Sequence, residues 1–261
     1  MKFLIVGNKL LEMSNIPPGL QLYSVREETE ADFFGTLEKV AGMGYKTVEF
    51  AGYGGIPAAE MKRELDRLGL LGISTHVPID KLKVELNQQI EYALTLGAQY
   101  IVCPVVPRDT LLNIAKFNEL VSFFQKVGKE IKRNGLQFAY HNHINEFEVI
   151  QGTFVLDRLL KEVGTDLMKL ELDVYWVKKA GLNPAAVLEY YKGLVPLIHV
   201  KDMDPTGNFT EVGRGILDWP SILSVTKRIG VKYYFVEQDD SEHPLISAKM
   251  SIEYLKSIGA T

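Results

Sequence analysis

The chain has one cysteine, Cys103, five histidines and two tryptophans among its 261 residues. A lone thiol excludes an internal disulfide framework and fits a reducing compartment. No run of basic residues occurs, and 29 Lys plus Arg against 33 Asp plus Glu leave a net charge of -4. A chain of that balance offers no field to gather a polyanion, which argues against a nucleic-acid partner. No apolar run is long enough to span a bilayer, so no membrane partner is expected. The opening stretch, MKFLIVGNKLLEMSN, carries an apolar run too short for a signal-peptide core, and no small-residue cleavage site follows it. These features read as a cytoplasmic protein. Met13 is an alternative start, and residues 1–18 read as an N-terminal extension ahead of one domain over 19–261. No linker-like or low-complexity segment interrupts that domain. At 46% hydrophobic and 24% charged residues, the composition is that of a globular protein with a large core.

Eight short β-rich runs punctuate the chain, at 19–25, 46–52, 71–77, 99–106, 136–143, 168–174, 195–202 and 232–238. Between them lie stretches whose apolar residues recur at three and four. Among these are ADFFGTLEKVAGMG, PAAEMKRELDRLG, LNQQIEYALTLGA, NIAKFNELVSFFQKVGKEIKRNG and PLISAKMSIEYLKSIG. Strand-then-helix repeated eight times predicts a single-domain α/β fold, the (β/α)8 TIM barrel. The alternative is an open doubly wound sheet, but no glycine-rich phosphate fingerprint follows the first strand.

A barrel demands alternation, with outward residues apolar and inward residues of one parity. That parity collects Gln21 and Tyr23; Glu49; Ser74 and His76; His141 and His143; Glu171 and Asp173; His199 and Lys201; and Glu237. These polar groups fall near the C-terminal ends of seven strands, where barrel enzymes build their active sites. Burying so many unpaired groups without function would cost several kcal/mol each, on the order of the transfer cost of a polar group. Carboxylates and imidazoles on different strands form a set of O and N donors suited to one divalent ion: Mn, Zn, Co, Fe or Mg.

Several pieces of the chain carry a resemblance. They are LQLYSVR, VEFAG, STHVP, YHNHINEF, ELDVYWVKKAG, IHVKDMD, VGRGILDWPSIL and VEQDD. In this set the chain resembles the xylose isomerase-like TIM-barrel superfamily, in its sugar phosphate isomerase/epimerase group, over nearly the whole length from Gly19. The resemblance implies one divalent ion held from the ends of the fifth to eighth strands, usually by Glu, Asp, His and Glu. Asp173, His199 and Glu237 match the last three. At the fifth strand the chain departs from the pattern and offers His141 or His143. With His141 as the ligand, His143 faces substrate; parity alone leaves the reverse open.

The implied chemistry is isomerisation or epimerisation of a sugar or keto-sugar through an enediolate-type intermediate. Glu237 would be one base, and His143 or Lys201 would supply the second proton. A lyase or dehydratase acting on a polyhydroxylated ketone, like the dehydroshikimate dehydratases, shares the first step and is the alternative. An abasic-site endonuclease shares the fold, but needs more metal ligands and a basic groove. Substrate contacts are expected from Gln21, Tyr23, Glu49, His76, Trp176 and Arg214. Structural roles compete for several of these: a salt bridge from Lys201 to Glu171 or Asp202, loop pinning by Arg214, and packing by Trp176. Glu146 reads as a cap or a partner of a histidine, and His243 as solvent-facing. Barrels of this group often associate, so a homo-oligomer stays open.

Overall fold

The computed structural model describes residues 16–260. Eight parallel strands form a closed barrel: β1 Pro18–Gln21, β2 Thr47–Phe50, β3 Leu71–His76, β4 Tyr100–Cys103, β5 Gln137–His141, β6 Met168–Asp173, β7 Leu197–Val200 and β8 Tyr233–Val236. Each strand pairs with its sequence neighbours. Closure comes from β1, which pairs with β8 through Leu20 and Val236 and with β2 through Leu20 and Val48. A sheet closed in this way has no free edge, which excludes the open doubly wound alternative. The extension expected over 1–18 lies outside the described residues up to residue 15. Ile16 is buried against the core, and Pro18 pairs with Tyr234.

Helices follow the strands and bury one face each. In the helix Ile114–Arg133, Phe117, Leu120, Val121, Phe124, Val127, Gly128 and Ile131 are buried at helical spacing. Asn113 caps its start by accepting from the Lys116 amide. Gly128 has no side chain because a Cβ there would sit 2.9 Å from the Leu167 carbonyl oxygen, where this helix lies against the lead-in to β6. The helix Ala58–Leu68 ends at Gly69, whose φ of 66° is the left-handed cap that a side chain resists.

Two layers fill the barrel. The main core lies between strands and helices, and a smaller cluster of Ile73, Tyr100, Val102, Ala139, Leu197 and Phe235 plugs the interior. Except on the fourth strand, these residues precede inward polar groups, so the barrel floor is apolar and its C-terminal end polar. Strand β3 breaks strict alternation. The register slips between Val48↔Gly72 and Glu49↔Ser74, and Ile73, left without a partner there, joins the interior cluster. The fourth strand contributes only Tyr100 and Val102 to the interior, as its sequence implies.

All eight expected strands run past the observed ends, and three of the stops have a plain cause. The first stops at Gln21, whose side chain accepts from the Tyr23 amide and turns the chain into a 3-10 helix, Leu22–Val25. The fourth stops at Cys103, before Pro104, which has no amide to donate to the ladder. The sixth stops at Asp173, which caps the helix Val174–Lys179. Two hairpins were not expected: Val149–Ile150 with Thr153–Phe154, and Asp202–Met203 with Phe209–Thr210. Their two-residue strands are too short to leave a period in the sequence.

Candidate active site

A cavity of about 340 Å³ opens at the C-terminal end of the barrel. Its polar lining is Tyr23, His76, His141, His143, Lys201, Glu237 and Asp239; Ala51, Pro78, Pro104 and Val105 make the apolar wall. The strand ends place these groups. The register sets Asp173 beside His199 and His141 beside Glu171.

His141, Asp173, His199 and Glu237 converge: each offers one atom, and these atoms all lie within 4.8 Å of one another. His143 lines the cavity outside this group, with its ring centre 5.0 Å from that of His141. Asp173 divides its two oxygens. Oδ1 accepts from the Tyr175 and Trp176 amides at 2.8 and 3.3 Å, capping the helix that follows. Oδ2 is buried without a hydrogen-bond partner, 3.9 Å from His141 Nε2 and 3.6 Å from Lys201 Nζ. An orphaned carboxylate oxygen among imidazoles and a second carboxylate fits a divalent cation with O and N ligands.

Lys201 reaches this group from the end of β7 and leans towards the end of β8. Its Nζ donates to Glu237 Oε2 at 3.0 Å and to Asp239 Oδ2 at 2.6 Å. The pairing expected with Glu171 or Asp202 does not form, because both acids are engaged elsewhere. Asp202 turns away and accepts from the amides of Met203, Gly213, Gly215 and Leu217 and from Trp219 Nε1. This explains the VGRGILDW segment. A Cβ on Gly215 would lie 2.1 Å from Asp202 Oδ1, and Gly213 has φ +86° with Tyr254 against it. The loop is built to wrap a buried carboxylate.

Below the convergent group lies a second polar layer. Glu49 accepts from Gln21 Nε2 at 2.7 Å and from Ser74 Oγ at 2.5 Å, and its Oε2 lies 2.7 Å from His199 Nε2. Glu171 Oε2 lies 2.6 Å from His76 Nε2, 3.2 Å from His199 Nε2 and 3.4 Å from His141 Nδ1. The His76 and His199 rings stack with centres 5.4 Å apart.

Charge is therefore strongly coupled. Burial works against the charge on His199, yet Glu171 and Glu237 hold its pKa well above the usual imidazole range. His76, likewise buried, is raised to about 10 by Glu49 and Glu171. His141 and His143 go the other way. Burial, and then the neighbouring His199, hold His141 well below its ordinary value. Burial and Lys201 bring His143 down to about 4. Burial raises Asp173 to about 7 against the pull of Lys201. Burial also opposes the charge on Glu237, but Lys201 and His199 hold its pKa well below the carboxylate range.

Of the substrate contacts expected from sequence, Tyr23 and His76 line the cavity, although Tyr23 does so from the 3-10 turn. Gln21, Glu49, Trp176 and Arg214 are not among its lining residues. Gln21 and Glu49 are fully buried one layer too deep. Trp176 packs behind the cavity, its ring centre 5.2 Å from that of His143 and 5.7 Å from Lys201 Nζ. Arg214 lines a separate depression with Glu211, Gln238 and His243. Its loop is directed by Asp202, which residue type alone does not reveal. Glu146 is a cap: it accepts from the His143 amide at 2.7 Å and from the Tyr140 hydroxyl at 2.5 Å. His243 is exposed. Sequence reasoning counted Glu171 among the inward polar groups without giving it a role, and passed over Asn142 and Asp239. Glu171 shares the inward parity of Asp173, and Asp239 that of Glu237, so a signal existed for both. Asn142, lying between the two histidines, gave none.

Residues 37–258 match the family described as xylose isomerase-like TIM barrel. The chain belongs to this family. The resemblance read from the motifs is thus the family that the match identifies, and it is a family of enzymes. Within it, a sugar phosphate isomerase/epimerase from Parabacteroides distasonis is 25% identical with a TM-score of 0.79, covering 95% of each chain. An inosose dehydratase from Clostridium beijerinckii is 21% identical over 217 residues, 70% of this chain and 72% of that protein. A crystal structure described as IOLI protein with a bound zinc atom has a TM-score of 0.71 at 16% identity, covering 93% of this chain and 96% of that one. That last likeness shows the fold alone. Among the described residues, no helix is long and apolar enough to cross a membrane.

Proposed function

We propose that the chain is a divalent-metal-dependent isomerase or epimerase of a sugar or keto-sugar, working through an enediolate-type intermediate. The observation that carries this reading is the convergence of His141, Asp173, His199 and Glu237 at the bottom of a cavity lined by His143 and Lys201. Those four residues would hold the ion, which when bound polarises a carbonyl and an adjacent hydroxyl. Mn, Zn, Co, Fe and Mg all accept such donors.

The chain's own groups then divide the work. Lys201, held by Glu237 and Asp239, places a fixed positive charge beside the reacting oxygens. Glu237 Oε2 accepts from Lys201 and faces His199 Nδ1 across the ion-binding group, so its other oxygen is the one free to accept a proton from the carbon beside the carbonyl. His143, neutral near pH 7 because burial and Lys201 depress it, takes or returns the second proton. Pro78, Pro104 and Val105 give the cavity one apolar wall. Tyr23 and His76 contact the hydroxyls of the substrate.

A second reading, a lyase or dehydratase of a polyhydroxylated ketone, is favoured by the likeness to inosose dehydratase. It shares proton removal by Glu237 and differs in what leaves afterwards. The experiment is incubation of a panel of ketoses, cyclic polyhydroxy ketones and their phosphates in D2O, followed by mass spectrometry. Deuterium gained beside the carbonyl supports the shared step. Water lost from the product selects the lyase. Neither exchange nor conversion across the panel, together with cleavage of abasic DNA, overturns the sugar reading.

A further inference from the structure

We propose that Glu49 is a positioning residue for His199, fixing which ring nitrogen is offered to the divalent ion; this rests on the ion-binding reading above. His199 is fully buried and meets carboxylates at both ends of its ring. Nδ1 lies 2.8 Å from Glu237 Oε2, inside the convergent group, and Nε2 lies 2.7 Å from Glu49 Oε2, below it. An imidazole that ligates through one nitrogen must carry its proton on the other, and the acceptor facing that other nitrogen decides the matter. Glu49 is the nearer such acceptor, with Glu171 Oε2 farther off at 3.2 Å, so Nε2 keeps the proton and the Nδ1 lone pair faces the ion.

Glu49 itself is anchored. Gln21 Nε2 on β1 donates to the same Oε2, and Ser74 Oγ on β3 donates to Oε1. Gln21 cannot turn its amide over without loss, because its Oε1 accepts the Tyr23 amide that starts the 3-10 turn. The carboxylate is therefore held from both neighbouring strands, with its position set before any ion arrives. It does not line the cavity and has no exposed surface, so a direct contact with substrate is excluded by position. The expectation that Glu49 holds a substrate hydroxyl is replaced by a role one layer deeper.

A competing assignment uses the same atoms differently. His76, His141, Glu171 and His199 also offer ligand atoms within 4.8 Å of one another, so the lower layer could itself be a second cation site. His199 would then bridge two ions and need no proton on Nε2. His76 against Glu171 and His199 against Glu49 already pair this layer's imidazoles with its carboxylates at 2.6 and 2.7 Å without an ion.

The test measures Co2+ and Zn2+ binding to the whole chain, stripped by chelator, for wild type, Glu49→Gln and Glu49→Leu. Glutamine keeps an oxygen for His199 and loses only the charge; leucine removes it and leaves Nε2 only the farther Glu171 Oε2 at 3.2 Å. The expected result is one ion per wild-type chain, with affinity lowered roughly 10- to 100-fold by Glu49→Leu and less by Glu49→Gln, in line with second-layer partners elsewhere. The visible Co2+ spectrum should change in Glu49→Leu and be largely restored in Glu49→Gln, a readout that a merely structural role would not move. If Glu49→Leu does not fold, Glu49→Ala, which also removes the carboxylate, takes its place in the comparison. Equal affinity and identical spectra in the folded variants would overturn the proposal, and so would two ions per wild-type chain. No ion bound by wild type would overturn the ion-binding reading and this proposal with it.

Discussion

Asn142 and Asp173 hold each other by two hydrogen bonds: the Asp173 amide donates to Asn142 Oδ1 at 3.0 Å, and Asn142 Nδ2 donates to the Asp173 carbonyl at 3.4 Å. Both residues are fully buried. The clamp joins the end of β5 to the end of β6 and so sets the spacing of His141 and Asp173. Replacing Asn142 by alanine leaves a buried amide and carbonyl without partners, at a cost of about 1–3 kcal/mol. Urea unfolding of Asn142→Ala should show that loss, and ion affinity should fall with it. Unchanged stability would mean that the strand ends are set by the barrel alone.

The two histidines around Asn142 should differ in kind. His141 belongs to the convergent group and His143 only lines the cavity. His141→Ala, like Asp173→Ala and His199→Ala, should lose its metal on gel filtration, measured by elemental analysis. His143→Ala should keep the metal and lose roughly 10²- to 10⁴-fold in turnover, the usual loss of a general acid–base group. Equal metal content and near-normal activity in both histidine variants would make the cluster structural.

Asp202 should be a stability residue. Four amides and the Trp219 indole converge on its buried carboxylate, with Trp219 Nε1 at 2.6 Å. Asp202→Ala orphans all of them and should cost about 3 kcal/mol or more, since bonds to a charged acceptor are among the stronger ones. Differential scanning calorimetry reads this as a lowered Tm. A Tm within a degree of wild type would contradict it.

The single thiol gives a pH test remote from the candidate site. Burial pushes Cys103 from 9.0 up to about 12. Below about pH 8.5 folded and unfolded chains both keep the proton. Above it the unfolded chain ionises first and binds fewer protons, so folding stability falls as pH rises towards the folded value. Wild type should lose up to about 1.4 kcal/mol per pH unit relative to Cys103→Ala over that window. A thiol reagent at pH 8.5 should label the unfolded chain and leave the native one unlabelled. Rapid native labelling would show that the sulfur is reachable.

Much of this was legible in the sequence because a barrel strand has a strict period of two. Eight β-rich runs sit where the eight strands are, and the parity of Asp173, His199 and Glu237 placed them on the inner face where they converge. Period does not report depth. Glu49 and Tyr23 carry the same inward parity, yet one is fully buried and the other is 44% exposed on a turn. Nor does it report how a polar side chain divides its oxygens. Asp173 is at once a helix cap and a member of the convergent group, and Asp202 spends its whole carboxylate on a loop. The cap is a local bond to Tyr175 and Trp176, and the Asp202 bonds reach as far as Trp219, but composition and spacing encode neither division. The same holds for Arg214, whose glycine-flanked loop suggested a grip on substrate but is shaped by Asp202.

The central claim is that proton removal beside a carbonyl depends on an ion held by His141, Asp173, His199 and Glu237. Its most direct test is deuterium exchange into a responsive keto-sugar or cyclic polyhydroxy ketone in D2O, followed while Mn2+ or Zn2+ is titrated into chelator-stripped protein. Exchange should be absent without metal, rise with added ion, and saturate at one ion per chain. Exchange at the full rate in the stripped protein would contradict the account.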